Sequence, residues 1–195
     1  MTELETDRLL IREFLASDSD SFCQHMLSEH HWRQQPVEPP TAETVADSMK
    51  HILCWQTEEP RTNYHLAALD KHSGEFVGEA ALHVYPPQQL GTIGWGVTTG
   101  RVGQGIATEM CQAFLRLAFG TLNLHRVQAM CRSENHASRW IMAKIGMREE
   151  GVMRDNLFVR GEWWSTICAA ILSSDPECLL HGYFEKVGNG PSGPA

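Results

Sequence analysis

No apolar run in this chain reaches the length of a membrane-spanning helix, and no short hydrophobic stretch near the first methionine reads as a signal peptide. By these absences the expected compartment is the cytoplasm, with no membrane as partner. The six cysteines, at positions 23, 54, 111, 131, 168 and 178, form no CxxC pair, and four fall inside apolar runs, as buried reduced thiols do. Positive charge is scarce: sixteen Lys and Arg stand against twenty-four Asp and Glu, a net −8. That balance argues against a broad nucleic-acid-binding face and favours encounter with cationic partners such as amines, polyamines or basic peptides. Internal repeats and domain linkers are missing too. Ten histidines raise the question of a metal, above all His25, His30 and His31 around Glu29. Their spacing does not put two imidazoles at i and i+4 on one helix face, as a zinc helix does, so the expectation is a polar helix end and no metal.

What is present suits a globular chain. Hydrophobic residues make up 42% and charged residues 21%, enough for a single α/β domain over residues 1–187. The glycine- and proline-rich tail, 188–195, is expected to stay outside the fold. Thr6 to Phe14 alternates around Leu9 and Ile11 as a strand does. Asp18 to Ser21 offers N-cap residues for a short helix with Phe22 and Met26, Pro36 to Pro40 breaks the chain, and Thr41 caps a second helix along Val45, Met49 and Ile52. Tyr64–Asp70 and Glu75–Tyr85 read as strands joined by a hairpin turn, and Leu90–Thr98 as the next strand. A helix over 106–119, a strand His125–Cys131, a helix from Asn135 to Gly146 and a closing strand Glu162–Leu172 follow, the last with Trp163 and Trp164 on opposite faces. The order implies a mixed sheet with helices on both faces.

One stretch carries the most chemistry. From Ile93 to Thr108 an apolar strand enters a glycine-rich turn and a helix starts at once, with Ile106, Met110, Phe114 and Leu117 on one stripe. Gly103 and Gly105 let the backbone take positive φ and approach a bulky anion, while the first helical turn offers free N–H groups and the positive end of the dipole. The same glycines also suit an ordinary tight strand-to-helix connection.

Further motifs follow in order: Glu5-Thr-Asp-Arg-Leu-Leu-Ile-Arg12, Gly103-Gln-Gly-Ile-Ala-Thr-Glu109, Leu124-His-Arg-Val127, Asn135-x-x-Ser138, Lys144-Ile-Gly-Met147, Glu150-Gly151 and Gly161-Glu-Trp-Trp164. Together they make the chain resemble the GNAT acetyltransferase superfamily, in the branch of the ribosomal-protein acetyltransferases RimJ and RimL. The resemblance implies an α/β (α+β) GNAT fold whose mixed sheet is splayed at the acyl-CoA site. It implies an N-acetyltransferase moving acetyl from acetyl-CoA to a primary amine by direct attack, with no metal. Residue by residue, the loop Arg101, Val102, Gly103, Gln104, Gly105, Ile106, Ala107 and Thr108 falls on the family's pyrophosphate-binding pattern, departing from it at Val102. Trp95, Gly96 and Val97 fall on the strand end beside which pantetheine lies, where the Val97 N–H can stabilise the developing oxyanion. Asn135, Ser138 and Lys144 fall on cofactor contacts, with Arg139 beside them.

Amine attack on a thioester requires a neutral amine, a stabilised oxyanion and a proton for the departing thiolate. Ser138 is the candidate acid, although Asn135 and Ser138 also suit a plain N-cap and third helical position. A tyrosine common in the family is replaced by Met142. Glu79, on a strand, is the candidate base through a water; a solvated hairpin face would explain it too, and ordered water or an already neutral acceptor would make a base unnecessary. The acceptor is expected to be a peptide or small-molecule amine of cationic character, with Glu29, Glu38, Glu58 and Glu59 near its wall and Trp32, Trp55 and Tyr85 as candidate lining. Homodimerisation is common in the family. A dinucleotide-binding oxidoreductase is excluded because Gly103-x-Gly105-x-x-Thr108 lacks the third glycine and Glu134 comes too late for the ribose. The alternative from another class is a non-catalytic acyl-CoA-binding sensor.

Overall fold

The computed structural model describes residues 2–183, so the expected tail at 188–195 lies outside the described residues. The strands are β1 (Glu3–Glu5), β2 (Leu9–Glu13), β3 (Asn63–Asp70), β4 (Phe76–Tyr85), β5 (Leu90–Val97), β6 (Arg126–Arg132), β7 (Arg148–Val159) and β8 (Glu162–Leu172). The helices are α1 (Ser19–Leu27), α2 (Glu29–Trp32), α3 (Ala42–Trp55), α4 (Ile106–Arg116), α5 (His136–Lys144) and α6 (Pro176–Leu180). All eight strands join one sheet in the order β1-β2-β3-β4-β5-β6-β8-β7. Every neighbouring pair is antiparallel except β5 and β6, whose parallel pairing the α4 crossover allows. No helix among the described residues is long and apolar enough to cross a membrane.

Alternation along the strands builds two cores. On one face Leu66, Ala80, Leu82 and Ile93 pack under α4, which buries Ile106, Met110, Cys111, Phe114 and Leu115. On the other, Ala67 meets Phe14 and Phe22 and the α3 stripe Val45, Met49 and Ile52. Thr41 caps α3, its hydroxyl accepting from the Thr44 N–H. All six cysteines are free.

Three expectations are corrected. The expected strand over Thr6–Phe14 is β2, Leu9–Glu13, and a further strand, β1, precedes it, because the chain reverses at Thr6–Leu9, where the Thr6 N–H donates to the Leu9 carbonyl. Helix α2 was not anticipated. Strand β7 was missed as well: it is the sheet's edge, and of its residues only Val159 is buried, so its sequence shows no alternation to read.

Candidate active site

Strands β5 and β6 pair only at Leu90–Arg126, Gly91–Val127 and Thr92–Gln128; beyond Thr92 they part. The Thr98 N–H donates to the Val77 carbonyl, and the two-residue period of an antiparallel ladder then turns the even-numbered residues of β5 toward β4. The backbone N–H and C=O groups of Ile93, Trp95 and Val97 therefore face the gap. That is an unpaired strand edge inside the sheet, able to receive an extended amide-bearing chain as an added strand. Helices α4 and α5 begin just past the carboxyl ends of the two parted strands, so two helix N-termini flank the opening, as in other open α/β sheets.

The turn before α4 has the backbone expected of an anion cradle. Gly103 and Gly105 sit at φ 78° and 80°, and Gly105 is the N-cap residue of α4. A Cβ at Gly103 would meet nothing within 4 Å, so its glycine is required by φ rather than by crowding. Around the turn, Val102, Gly103 and Gln104 are exposed, whereas Ile106 and Thr108 are buried on the inner side of α4. The Arg101 guanidinium is engaged by the carboxylates of Glu75 and Asp70, leaving the backbone N–H groups as the groups the turn presents. Alongside the cradle lies a groove of about 930 Å³ that Arg8, Lys71, Arg116 and Lys144 share with Thr108 and Glu109. Lys144 also stands over the Trp140 ring, 4.7 Å from its centroid.

Glu109, in the first turn of α4, ties this cradle to the N-terminal hairpin. Its carboxylate accepts from the Thr6 hydroxyl at 2.5 Å, the Arg8 N–H at 3.0 Å and the Arg8 Nε at 2.7 Å, while Arg8 also donates to the Gln104 carbonyl. Burial opposes the charge, but the Thr6 and Arg8 donors outweigh it and hold the carboxyl below its ordinary value. A depressed pKa contributes stability that is present above the ordinary value near 4.5 and is lost as pH falls through the folded value. Glu109→Gln is thus expected to cost about 1 kcal/mol at neutral pH, discounted for the exposed Arg8. The gap in melting temperature from the wild type should close on acidification, which thermal melts across pH will check.

On the opposite face of the sheet a second feature converges. Glu79 on β4 stands across from Gly96 on β5 and is only 6% exposed, which overturns the solvated-hairpin explanation. His65 on β3 contacts its Oε2 at 2.7 Å, and His25 near the end of α1 places Nε2 3.8 Å from Oε1. His31 on α2 packs edge-on against His25, ring centroids 4.4 Å apart. Gly96 makes room for all of this: a Cβ there would lie 2.6 to 2.9 Å from Glu79 Oε1, His25 Nε2 and His31 Cε1. Phe14, Phe22 and Phe76 wall the imidazoles. Burial by itself would raise the Glu79 pKa, yet the His25 and His65 imidazoles hold it well below the usual carboxylate range, with His65 in true hydrogen-bond contact. Burial lowers His31 to about 4, against the pull of Glu79.

The sequence placed His25, His30 and His31 around Glu29. The structure instead breaks the helix at Ser28, whose hydroxyl caps α2 by accepting from the His31 N–H, and the break swings His31 beside His25 and toward Glu79. His65 was not anticipated; a histidine facing the same side as a strand glutamate gives no signal until register is known. His25, His31 and Glu79 place donor atoms within 4.8 Å of one another.

At the other helix, the Asn135 side chain accepts from the Ser138 N–H at 3.1 Å, so the N-cap arrangement is realised, with Ser138 half-buried beside it. The Arg139 guanidinium donates to the Glu149 carboxylate at 2.9 Å. Met142, where the family often has tyrosine, is 1% exposed in the core. Next to His31, Trp32 lines a cavity of about 510 Å³ with Glu29, Arg33, Arg132, Arg160 and Glu162. Arg160 stacks between Trp32 and Trp164 and donates to the carbonyls of Arg33, Gln35 and Val37, which fixes the segment after α2. Trp55 and Tyr85 lie elsewhere, Trp55 stacked on His51 and Tyr85 edge-on to His83.

Comparison with known proteins gives these features a context. The family described as acetyltransferase (GNAT) domain matches residues 8–148. An uncharacterised N-acetyltransferase of Bacillus subtilis, YnaD, is 28% identical over 172 residues, covering 88% of this chain and 98% of its own length. The [ribosomal protein uS5]-alanine N-acetyltransferase of Escherichia coli is 23% identical, over 88% of this chain and 91% of that protein. Among solved structures, a GNAT-family acetyltransferase from Bacillus anthracis superposes with a TM-score of 0.79 at 27% identity, covering 89% of this chain and all of that one.

Proposed function

Because the chain belongs to the GNAT acetyltransferase family, and is an acetyl-CoA-dependent N-acetyltransferase, we propose how its residues divide the work and which amine it takes. The non-catalytic sensor has no support among these relatives. Acetyl-CoA supplies the activated acetyl group, and the residues present fit it: a glycine cradle with positive φ and open space, a helix N-terminus, and an unpaired strand edge. The N–H groups from Gly103 to Thr108 hold the pyrophosphate, with Val102 and Arg101 framing the turn. Trp95, Gly96 and Val97 align the pantetheine arm, and the Val97 N–H polarises the thioester carbonyl. Asn135 and Lys144 support the cofactor from the other strand's side, and the Ser138 hydroxyl gives the departing thiolate its proton.

The observation that carries the catalytic reading is Glu79, buried, held ionised, and facing the bare face of Gly96. An α-amine titrates near pH 8, so much of it arrives as ammonium and must lose a proton before attack. The Glu79 carboxylate receives that ammonium, and with its imidazole partners it takes up the proton as one coupled group. A carboxyl held this low is a weak acceptor alone, and the imidazoles beside it are the groups to which the proton passes.

For the acceptor, the cavity beside Trp32 is informative. It presents three arginines against two glutamates, a lining that repels a polyamine but tolerates a peptide with a single terminal ammonium. This lining favours the N-terminal amine of a protein as the acceptor; the E. coli relative is, by its name, an alanine N-acetyltransferase of ribosomal protein uS5. The free cysteines suit the reducing cytoplasm. A homodimer would form on edge strand β7, which exposes Val152, Met153 and Phe158 beside Trp163. Thiol release from acetyl-CoA, measured against peptides starting with Ala, Ser or Thr and against polyamines and aminoglycosides, tests the acceptor. Stimulation by the peptides is expected; stimulation by spermidine alone would overturn it.

A further inference from the structure

The proton taken from the acceptor has to leave a buried cluster, and the structure offers a way out. Both ring nitrogens of His25 are buried with no hydrogen-bond partner, a condition that an ordinary core avoids. Its side chain is fully enclosed, wedged between Glu79, His31 and Phe76. His31, by contrast, is partly exposed as a residue, and its neighbour His30 is exposed. The groups thus run from a nearly buried carboxylate through an enclosed imidazole to His31, a residue that keeps partial exposure.

We infer that His25 and His31 form a proton relay that carries the acceptor's proton from Glu79 to solvent. This rests on the reading of Glu79 as the group that receives the ammonium, and both histidines act only through it. One proton moves: the acceptor nitrogen loses an N–H, Glu79 Oε1 gains it, His25 takes it at one ring nitrogen while releasing another from the opposite nitrogen, and His31 returns it to water. The donor atoms of the three residues lie within 4.8 Å of one another, a gap that one water or a ring rotation spans. His31 rests neutral at physiological pH, since burial lowers it to about 4, and so stands ready to receive. The groups facing the relay are Glu79 and His65 from the sheet, the Cys111 thiol from α4 and His30 from α2's own first turn. His65, bonded to the other oxygen of Glu79, orients the carboxylate and leaves Oε1 to the relay.

The test is His31→Ala, with His31→Asn as a second variant in case the first folds poorly, assayed with a chelator present so that no bound ion contributes. Expected are a loss in kcat of about ten-fold or more, an unchanged KM for acetyl-CoA, a rate that rises with buffer concentration, and partial restoration by added imidazole. Restoration by imidazole is a response that a merely structural role of His31 would not give. A kcat equal to wild type in both variants, or a loss that imidazole leaves untouched, would overturn the relay. Glu79→Gln measured alongside separates the two ideas: if it is impaired while the His31 variants are not, the relay alone fails. If Glu79→Gln is fully active, the reading on which the relay rests fails first.

Discussion

Glu79→Gln is expected to lower kcat by about 10² to 10⁴, the usual contribution of a positioned proton-transfer group, while leaving the KM for acetyl-CoA close to wild type. The substitution keeps the shape of the side chain and an oxygen for His65 but removes the charge that draws the ammonium in. The split between kcat and KM follows from geometry. Glu79 lies on the face of the sheet covered by α1 and α2, whereas the glycine cradle opens at the start of α4 on the other face. Because the folded protein holds this carboxyl far below its ordinary value, it stays ionised through the neutral range, and the ratio of variant to wild type should not vary there with pH. Steady-state kinetics with a peptide acceptor, together with a thermal melt to show that the variant is folded, check this. A kcat within about three-fold of wild type would remove Glu79 from the mechanism.

The second large effect is expected at the cradle. Gly105 holds φ 80°, where an L-residue pays about 1 to 2 kcal/mol and a β-branched one more, and an added Cβ would come within 3.4 Å of Arg8 Nη2. Gly105→Val therefore forces the turn out of the conformation that points its N–H groups outward. Acetyl-CoA affinity should fall by about ten- to hundred-fold, roughly 1.4 to 2.7 kcal/mol, with little change in kcat at saturation. Gly100 provides the control: it lies in the same connection, takes no positive φ, and has open space at its Cβ position, so Gly100→Ala should bind as wild type does. Equal losses in both would mean that the glycines matter for mobility and not for the cradle.

The sequence made the cofactor side legible and left the acceptor side nearly dark, for physical reasons. A cradle is local. Its glycines, the apolar strand before it and the helix stripe after it are contiguous in the chain, so Gly103 and Gly105 announce themselves. Strands with one buried face, such as β3, β4 and β8, show their alternation, and the contrast of Trp163 with Trp164 came out as the sequence predicts, at 61% and 3% exposed. Edge strand β7, wet on nearly every residue, offers no such contrast. The Glu79 cluster is assembled from β3, β4, α1 and α2, and each histidine taken singly resembles a polar helix end or a strand residue. Only the register that sets Glu79 opposite Gly96, and the helix break at Ser28, bring them together. Ser138 shows the opposite difficulty, since its motif suited both a cap and a catalytic role, and the cap is realised without displacing the hydroxyl.

Amide hydrogen exchange followed by mass spectrometry, with and without acetyl-CoA, tests the location of the site most directly. The unpaired N–H groups of Trp95 and Val97 and those of the turn from Gly103 to Thr108 have no partner strand or helical acceptor to protect them, so they should slow markedly when the ligand binds. Protection confined to peptides spanning these two segments and the start of α5 is the predicted result. Tight binding of acetyl-CoA that leaves both segments exchanging as before would contradict the account.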